Sequence, residues 1–271
     1  MNTRHAWERV EEVVTMHSRS GTVGVSLLGP DGARWHRHGD RKFDPASTLK
    51  IPVMVEIYCQ VDAGRLALDE PWTLTDDHRV IGSGVLNHFR TGATISLHDL
   101  IYLMISISDN LATDIFIDKV GVEAINYTMA DLGMQHSRLG DTIRDLFAGT
   151  AAPNIATPND YVSAVATILD GKAAAPASCE AMTAMVETQQ NGRCIARFIP
   201  TFPPTIRWGS KTGTFIGVCN EEGFIIGPNG RLIIAVYTEN YADTHTAEAV
   251  IGEIARAAMA DTGGVGPLST S

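Results

Sequence analysis

The sequence predicts an α/β (α+β) fold in which an antiparallel sheet, flanked by helices from both chain ends, carries an inserted all-helical block. Three observations point there. Two hairpin signals, Gly29-Pro30-Asp31-Gly32 and Gly227-Pro228-Asn229-Gly230, stand near opposite ends of the chain, each between runs of strand character. Residues 45–190 between them read as mostly helical, with loops rich in glycine and turn residues. Both ends are amphipathic: Trp7, Val10, Val14 and Met16 lie among charges at the front, and Val250, Ile251, Ile254 and Ala258 at the back. The expected division is a single domain over residues 1–271. An α/β lobe comes from residues 1–44 and 191–262, a helical lobe from residues 45–190, and a loose tail from residues 263–271.

In chain order, a helix is expected over residues 2–18, and strands over 24–28 and 33–38 flank the first hairpin turn. His36 and His38 alternate along the second strand and would share one side of it. Without carboxylate or cysteine company they read as a solvated face rather than a metal site. The apolar run 51–58 is helical, with Asp44-Pro45 as its start signal. Residues 81–86 form a loop that lacks the spacing and the strand–helix setting of a phosphate-binding loop. Helical runs 100–107 and 111–117 meet at Ser108-Asp109-Asn110. Residues 140–158, rich in small residues and weak in periodicity, read as a long surface loop. Thr157 as N-cap, with Pro158 at the first helical position, then starts a helix bearing Tyr161, Val165 and Ile168. Strands 224–226 and 232–237 flank the second turn, and helix 246–260 closes the fold.

The chain's 271 residues suffice for one large domain or two lobes with ample core. Its net charge of −10 argues against nucleic acid or an anionic membrane as partner. No run reaches the about 20 apolar residues that a membrane-spanning helix needs. Cys59, Cys179, Cys194 and Cys219 have no CxxC spacing, so they read as reduced thiols, and no cofactor or metal is expected. Residues 1–9 are charged and lack the apolar core of a secretory signal, so the expected location is the cytoplasm.

The chemistry centres on Ser47-Thr48-Leu49-Lys50. Residues three apart share a helix face, which would set the Ser47 hydroxyl beside the Lys50 amine. A serine becomes a useful nucleophile when a base takes its proton, and a lysine serves as that base once burial or a nearby cation lowers its pKa. Two later stretches, Ser108-Asp109-Asn110 and Lys211-Thr212-Gly213, complete a set. Together and in this order, the three motifs resemble those of the penicillin-recognising serine hydrolases, in the branch of class A β-lactamases and penicillin-binding proteins. The likeness runs from about Gly24 to Ala255, including residues 190–200 and both hairpin turns.

The resemblance implies an active site between the lobes, with loop 81–89 on one wall of the cleft. It makes Ser47 the nucleophile that becomes acylated and Lys50 its general base or part of the relay. Ser108 would pass a proton to the leaving group, and Lys211 would supply positive charge that helps keep Lys50 neutral. Asn110, Thr212, Gly213 and Thr214 would meet the substrate, and the backbone N–H groups of Ser47 and Thr214 would form the oxyanion hole. The expected partner is a small or short peptide-like substrate.

Two departures from that family stand out. Its deacylating Glu-x-x-Leu-Asn motif is missing, because residues 139–158 contain no glutamate and its place falls near Thr142 or Ile143. Asp141 and Asp145 are the only carboxylates there, each a possible substitute or a salt-bridge partner of Arg144. The arginine that binds a substrate carboxylate is also missing: Asn220 stands in its strand position, the alternative position on the terminal helix offers none, and the adjoining Glu221 and Glu222 read as a substrate-facing acidic edge that suits a neutral or cationic substrate, or as solvated strand charges. The expected function is an acyl-enzyme serine hydrolase acting on an amide, lactam or ester, and an inefficient β-lactamase. The alternatives are a D,D-peptidase, or a β-lactam sensor that keeps its acyl group.

Overall fold

In a computed structural model describing residues 7–200 and 205–263, the strands are β1 (Thr22–Leu28), β2 (Arg34–Arg37), β3 (Pro71–Thr73), β4 (Thr94–Ser96), β5 (Arg207–Phe215), β6 (Val218–Gly227) and β7 (Gly230–Glu239). Five of them form one antiparallel sheet in the order β2-β1-β7-β6-β5. Both predicted hairpin turns are present, one closing β1 on β2 at Leu28–Arg34 and the other closing β6 on β7 at Gly227–Gly230.

Side chains alternate across a strand, and β7 uses that alternation to serve two cores. Leu232, Ile234 and Val236 face helices α1 (Glu8–His17) and α9 (Thr244–Thr262), together with Val23, Val25 and Leu27 of β1. Ile233, Ala235 and Tyr237 face the opposite side, where α2 (Lys50–Asp62), α3 (Leu97–Ser106), α4 (Asn110–Val120), α5 (Val122–Asp131), α7 (Pro158–Leu169) and α8 (Pro176–Val186) build the larger core. Residues 50–58 of α2 are buried without interruption. An apolar run without a polar stripe belongs to a helix enclosed on all sides. The sheet-plus-terminal-helix lobe and the inserted helical block are those the sequence predicts.

Several details differ. The inserted block is not wholly helical, because β3 and β4 form a two-stranded ribbon on its surface. Three-residue strands are too short to display a periodicity. The stretch 140–158 contains a short helix, α6 (Ile143–Ala148), held by partners near and far in sequence. Thr142 caps it by accepting from the Asp145 N–H at 3.1 Å, while the buried Asp114 carboxylate accepts from the Ile143 and Arg144 N–H groups at 2.7 and 2.9 Å. Arg144 pairs with Asp118 of α4 at 2.9 Å, not with Asp141 or Asp145. His38 leaves β2 with φ +54 and places Nδ1 3.0 Å from the Val23 carbonyl, so His36 and His38 do not share a strand face. The four cysteines are free thiols. Residues 2–6 of the expected first helix, and the expected tail beyond Gly263, lie outside the described residues.

Candidate active site

Ser47 lies in a tight helical turn over Ala46–Leu49 that leads directly into α2. The turn is braced from within: Asp44 Oδ1 accepts from the Ala46 N–H at 2.7 Å, and Thr48 Oγ1 donates to the Pro45 carbonyl at 2.8 Å. Ala46 has φ +46, a strained value for a residue with a Cβ. Strand β5 presses against this turn at Gly213. A Cβ there would sit 2.6 Å from Pro45 O and 3.0 Å from Ser47 N, so only glycine lets the edge strand come this close.

Lys50 is fully buried, and its Nζ reaches four oxygens: Ser108 O at 2.7 Å, Asn110 Oδ1 at 2.8 Å, Ser108 Oγ at 3.0 Å and Ser47 Oγ at 3.1 Å. The two shortest contacts go to carbonyl oxygens, which only accept. A neutral amine has two N–H groups for them and one lone pair for the hydroxyls. Lys211 approaches from β5 and donates to Ser108 Oγ at 3.0 Å and to the Thr212 carbonyl at 2.7 Å. Ser108 thus bridges two lysines, from a backbone held at φ +62.

Electrostatics favour the neutral form of Lys50. Burial first, and then the Lys211 charge, hold its pKa well below the ordinary lysine value, against the opposing pull of Asp109 and Asp114. Burial also lowers Lys211 to about 8, with Glu222 and Glu221 opposing.

The walls of the cleft are tied to this centre. Asp109 caps α4 by accepting from the Ala112 N–H at 3.1 Å, and its other oxygen accepts from the Val85 and Leu86 N–H groups at 2.7 and 2.9 Å. Asn110 anchors the same loop, its side-chain amide donating to the Ile81 carbonyl and its backbone N–H to the Ser83 carbonyl, both at 3.0 Å. An open cavity of about 540 Å³ has Ser47, Ser108, Thr212 and Thr214 on its walls. Arg193 is there too, so the cleft does contain an arginine, supplied by the segment after α8 and not by the strand or terminal-helix positions that the resemblance implies. Its guanidinium lies 3.6 Å from the buried Glu248, which steadies it at the cleft wall.

A second cavity of about 150 Å³ adjoins Ser47 on the α6 side, lined by Leu49, Ile143, Leu146, Phe147 and Phe215, with Asp44 as its single carboxylate. The Phe147 and Phe215 rings meet edge to face over 6.2 Å, linking α6 to the end of β5. Neither Asp141 nor Asp145 lines this cavity. Asp141 accepts from the Thr142 N–H at 2.9 Å, and Asp145 is engaged with the Thr142 hydroxyl. Asn220, Glu221 and Glu222 are fully buried, which overturns both a substrate-facing acidic edge and solvated strand charges. Among the described residues, no group of three or more His, Cys, Asp and Glu side chains is placed to hold a metal ion.

The comparisons with known proteins agree with this geometry. A family model described as the beta-lactamase enzyme family matches residues 5–261. The crystal structure of a beta-lactamase from Sphaerobacter thermophilus superposes with a TM-score of 0.92 at 46% identity, covering 96% of this chain and 99% of that one. Beta-lactamase AER-1 of Aeromonas hydrophila is 25% identical over 250 residues, 90% of this chain and 81% of its own. PBP-A shares the fold, with a TM-score of 0.84 at 24% identity over 93% of this chain and 95% of that one. With a family match across nearly its whole length and a serine–lysine centre in the cleft between its lobes, the chain belongs to the beta-lactamase enzyme family and is a serine hydrolase of that superfamily.

Proposed function

We propose that the protein opens an amide, lactam or ester bond through an acyl-enzyme on Ser47 and releases the acyl group slowly. The observation that carries this reading is the 3.1 Å contact between Lys50 Nζ and Ser47 Oγ, inside a site that disfavours the charged form of Lys50. Neutral Lys50 takes the Ser47 proton as Oγ attacks the carbonyl carbon. The oxyanion forms against the N–H groups of Ser47 and Thr214. The outer position of β5 supports this assignment, since alternate N–H groups of an edge strand point away from its neighbour. When the tetrahedral intermediate collapses, the carbon–heteroatom bond breaks, and the proton held on Lys50 passes through Ser108 to the leaving group. Lys211, as an ammonium, keeps Ser108 polarised and Lys50 neutral.

Hydrolysis of the acyl-enzyme needs a water with a base beside it. The cavity next to Ser47 on the α6 side presents Ile143, Leu146 and Phe147, and its single carboxylate, Asp44, is engaged by the Ala46 N–H, which supports slow release. The same apolar lining suits a substrate with an apolar acyl substituent. On the other side of Ser47, Arg193 on the cleft wall favours an anionic leaving portion, replacing the expectation of a neutral or cationic one. The relatives named as beta-lactamases make a β-lactam the first substrate to try.

The test is intact-protein mass over time with a fluorescent penicillin, beside Ser47→Ala. An adduct that forms on the parent protein alone and persists through many minutes is expected. Rapid turnover would overturn the slow-release reading, and an adduct on Ser47→Ala would overturn the nucleophile.

A further inference from the structure

The consecutive glutamates of β6 point to opposite faces of the sheet. Glu221 is satisfied on its side, accepting from Ser210 Oγ at 2.6 Å and from the Ile195 N–H at 2.5 Å. Glu222 faces the helical lobe. It is fully buried, its Oε1 has no hydrogen-bond partner, and its Oε2 has one long contact, 3.4 Å from the Tyr237 hydroxyl. That hydroxyl lies closer to Thr48 Oγ1, at 2.9 Å. Thr48 Oγ1 already donates its proton to Pro45 O, so Tyr237 must donate to Thr48 and has little left for Glu222. Tyr161 also turns towards this region, and its hydroxyl is buried without a hydrogen bond.

A buried carboxylate with almost no donors is costly to keep, and such groups gather where charge is being controlled. The register says which charge. Glu222 pairs directly with Lys211 across β5 and β6, so their side chains leave the same face as neighbours. Lys211 gives its hydrogen bonds to Ser108 and the Thr212 carbonyl, so Glu222 acts on it through space.

We propose that Glu222 is a positioning residue that holds Lys211 as an ammonium, and through Lys211 sets the charge of the Ser47–Lys50–Ser108 relay. This inference rests on the acylation mechanism above for its kinetic consequence, though not for its electrostatic one. The groups facing Glu222 are Lys211 from β5, Tyr237 from β7 and Tyr161 from α7, with Glu221 beside it on the other face of β6. Burial raises the Glu222 pKa well above the ordinary value, and Lys211 is the leading influence opposing that rise. The two groups therefore support each other's charge. Loss of the Glu222 charge would make the Lys211 proton easier to remove, and loss of the Lys211 charge would leave the carboxylate without its main compensation.

The experiment follows the Lys211 side-chain ε-carbon by NMR across a pH titration, in the parent protein, Glu222→Gln and Glu221→Gln. In Glu222→Gln the Lys211 midpoint should fall by about one pH unit or more, because a buried cation has lost its neighbouring anion. Glu221→Gln should move it less. The alkaline limb of the acylation rate should shift with the midpoint, which a purely structural role would not produce. An unmoved or raised midpoint in folded Glu222→Gln overturns the proposal, whether or not any substrate acylates the parent protein. If Glu222→Gln does not fold, Glu222→Asp serves: the shorter side chain draws the carboxylate back from Lys211 and should also lower the Lys211 midpoint, and no change there would overturn the proposal. Failure of the parent protein to acylate, with the expected shift still present, would instead count against the proposed function.

Discussion

Lys50 Nζ stands 3.1 Å from Ser47 Oγ and 3.0 Å from Ser108 Oγ, so a single amine serves both the hydroxyl that attacks and the hydroxyl that delivers the proton. This geometry predicts that Lys50→Arg abolishes the reaction while largely preserving packing. A guanidinium stays charged and cannot accept the Ser47 proton. The acylation rate should fall by about 10²–10⁴-fold, the usual contribution of a positioned base. Stopped-flow measurement with a chromogenic β-lactam or activated ester checks it, and a loss under about fivefold would remove Lys50 from the role of base.

The pH dependence follows from the two lysines. Lys50 must be neutral and Lys211 charged for the relay to run. Lys211 loses its proton at about 8, so acylation should decline as the pH rises through that value. The stability effect has the opposite sign. Lys211 binds its proton less tightly in the folded state than in the unfolded chain, where a lysine titrates near 10.4. Between about 8 and 10.4 the unfolded state holds more protons, so this group's contribution to stability rises with pH while activity falls. Chemical denaturation at several pH values, compared with acylation rates, separates the two trends.

Gly213→Ala should impair the site from the strand side. The new methyl would meet Pro45 O at 2.6 Å and Ser47 N at 3.0 Å, both backbone atoms that cannot rotate aside. Overpacking of this kind costs about 1–3 kcal/mol. Because the displaced atoms carry the nucleophile, acylation should fall by more than the stability loss would suggest. Thermal unfolding and acylation rates on the same sample decide it: a normal rate with a lowered Tm would mean that β5 can retreat without disturbing Ser47.

How much of this was legible in the sequence depended on the range of the forces involved. Ser47 and Lys50 are three residues apart, so local geometry already placed them together. The hairpin turns and the Thr157-Pro158 helix start were readable for the same reason, and Thr157 does cap α7 by accepting from the Asp160 N–H. The resemblance to class A enzymes brought Ser108 and Lys211 into the set, and no local pattern could have done so. Helix α6 was hidden because one of its caps, Asp114, lies 29 residues before Ile143. The Arg144–Asp118 pair spans 26 residues, so a local reading favours the sequence neighbours Asp141 and Asp145 for the same reason. Glu221 and Glu222 looked like solvent-facing charges because charged residues are rarely fully buried. Only the register, which sets Glu222 against Lys211, reveals a reason for burying one of them.

Asp114→Ala tests the long-range cap. It leaves the Ile143 and Arg144 N–H groups without their acceptor, at a cost of about 1–3 kcal/mol. Hydrogen exchange across residues 143–148 should accelerate while exchange in α9 stays slow. Uniform acceleration throughout the molecule would mean that α6 opens only with the whole fold.

The last prediction concerns the acyl group's release. Ile143 lines the cavity beside Ser47 and stands near the place of the family's missing glutamate, whereas Asp141 and Asp145 are turned to Thr142. Asp141→Asn and Asp145→Asn should therefore leave the adduct lifetime within about twofold of the parent, apart from any loss of cap stability at Asp145. Ile143→Glu should shorten that lifetime by placing a carboxylate where a water can meet both it and the acyl carbon. A positioned base is worth about 10²–10⁴-fold at full efficiency. The gain here should be smaller, because Asp114 already directs a carboxylate at the Ile143 N–H from 2.7 Å and like charges resist close approach. The decay of the mass adduct measures all three variants together. Faster release in Ile143→Glu alone would locate the deficit in that cavity, while slower release in Asp141→Asn or Asp145→Asn would return the base to the loop that the sequence first suggested.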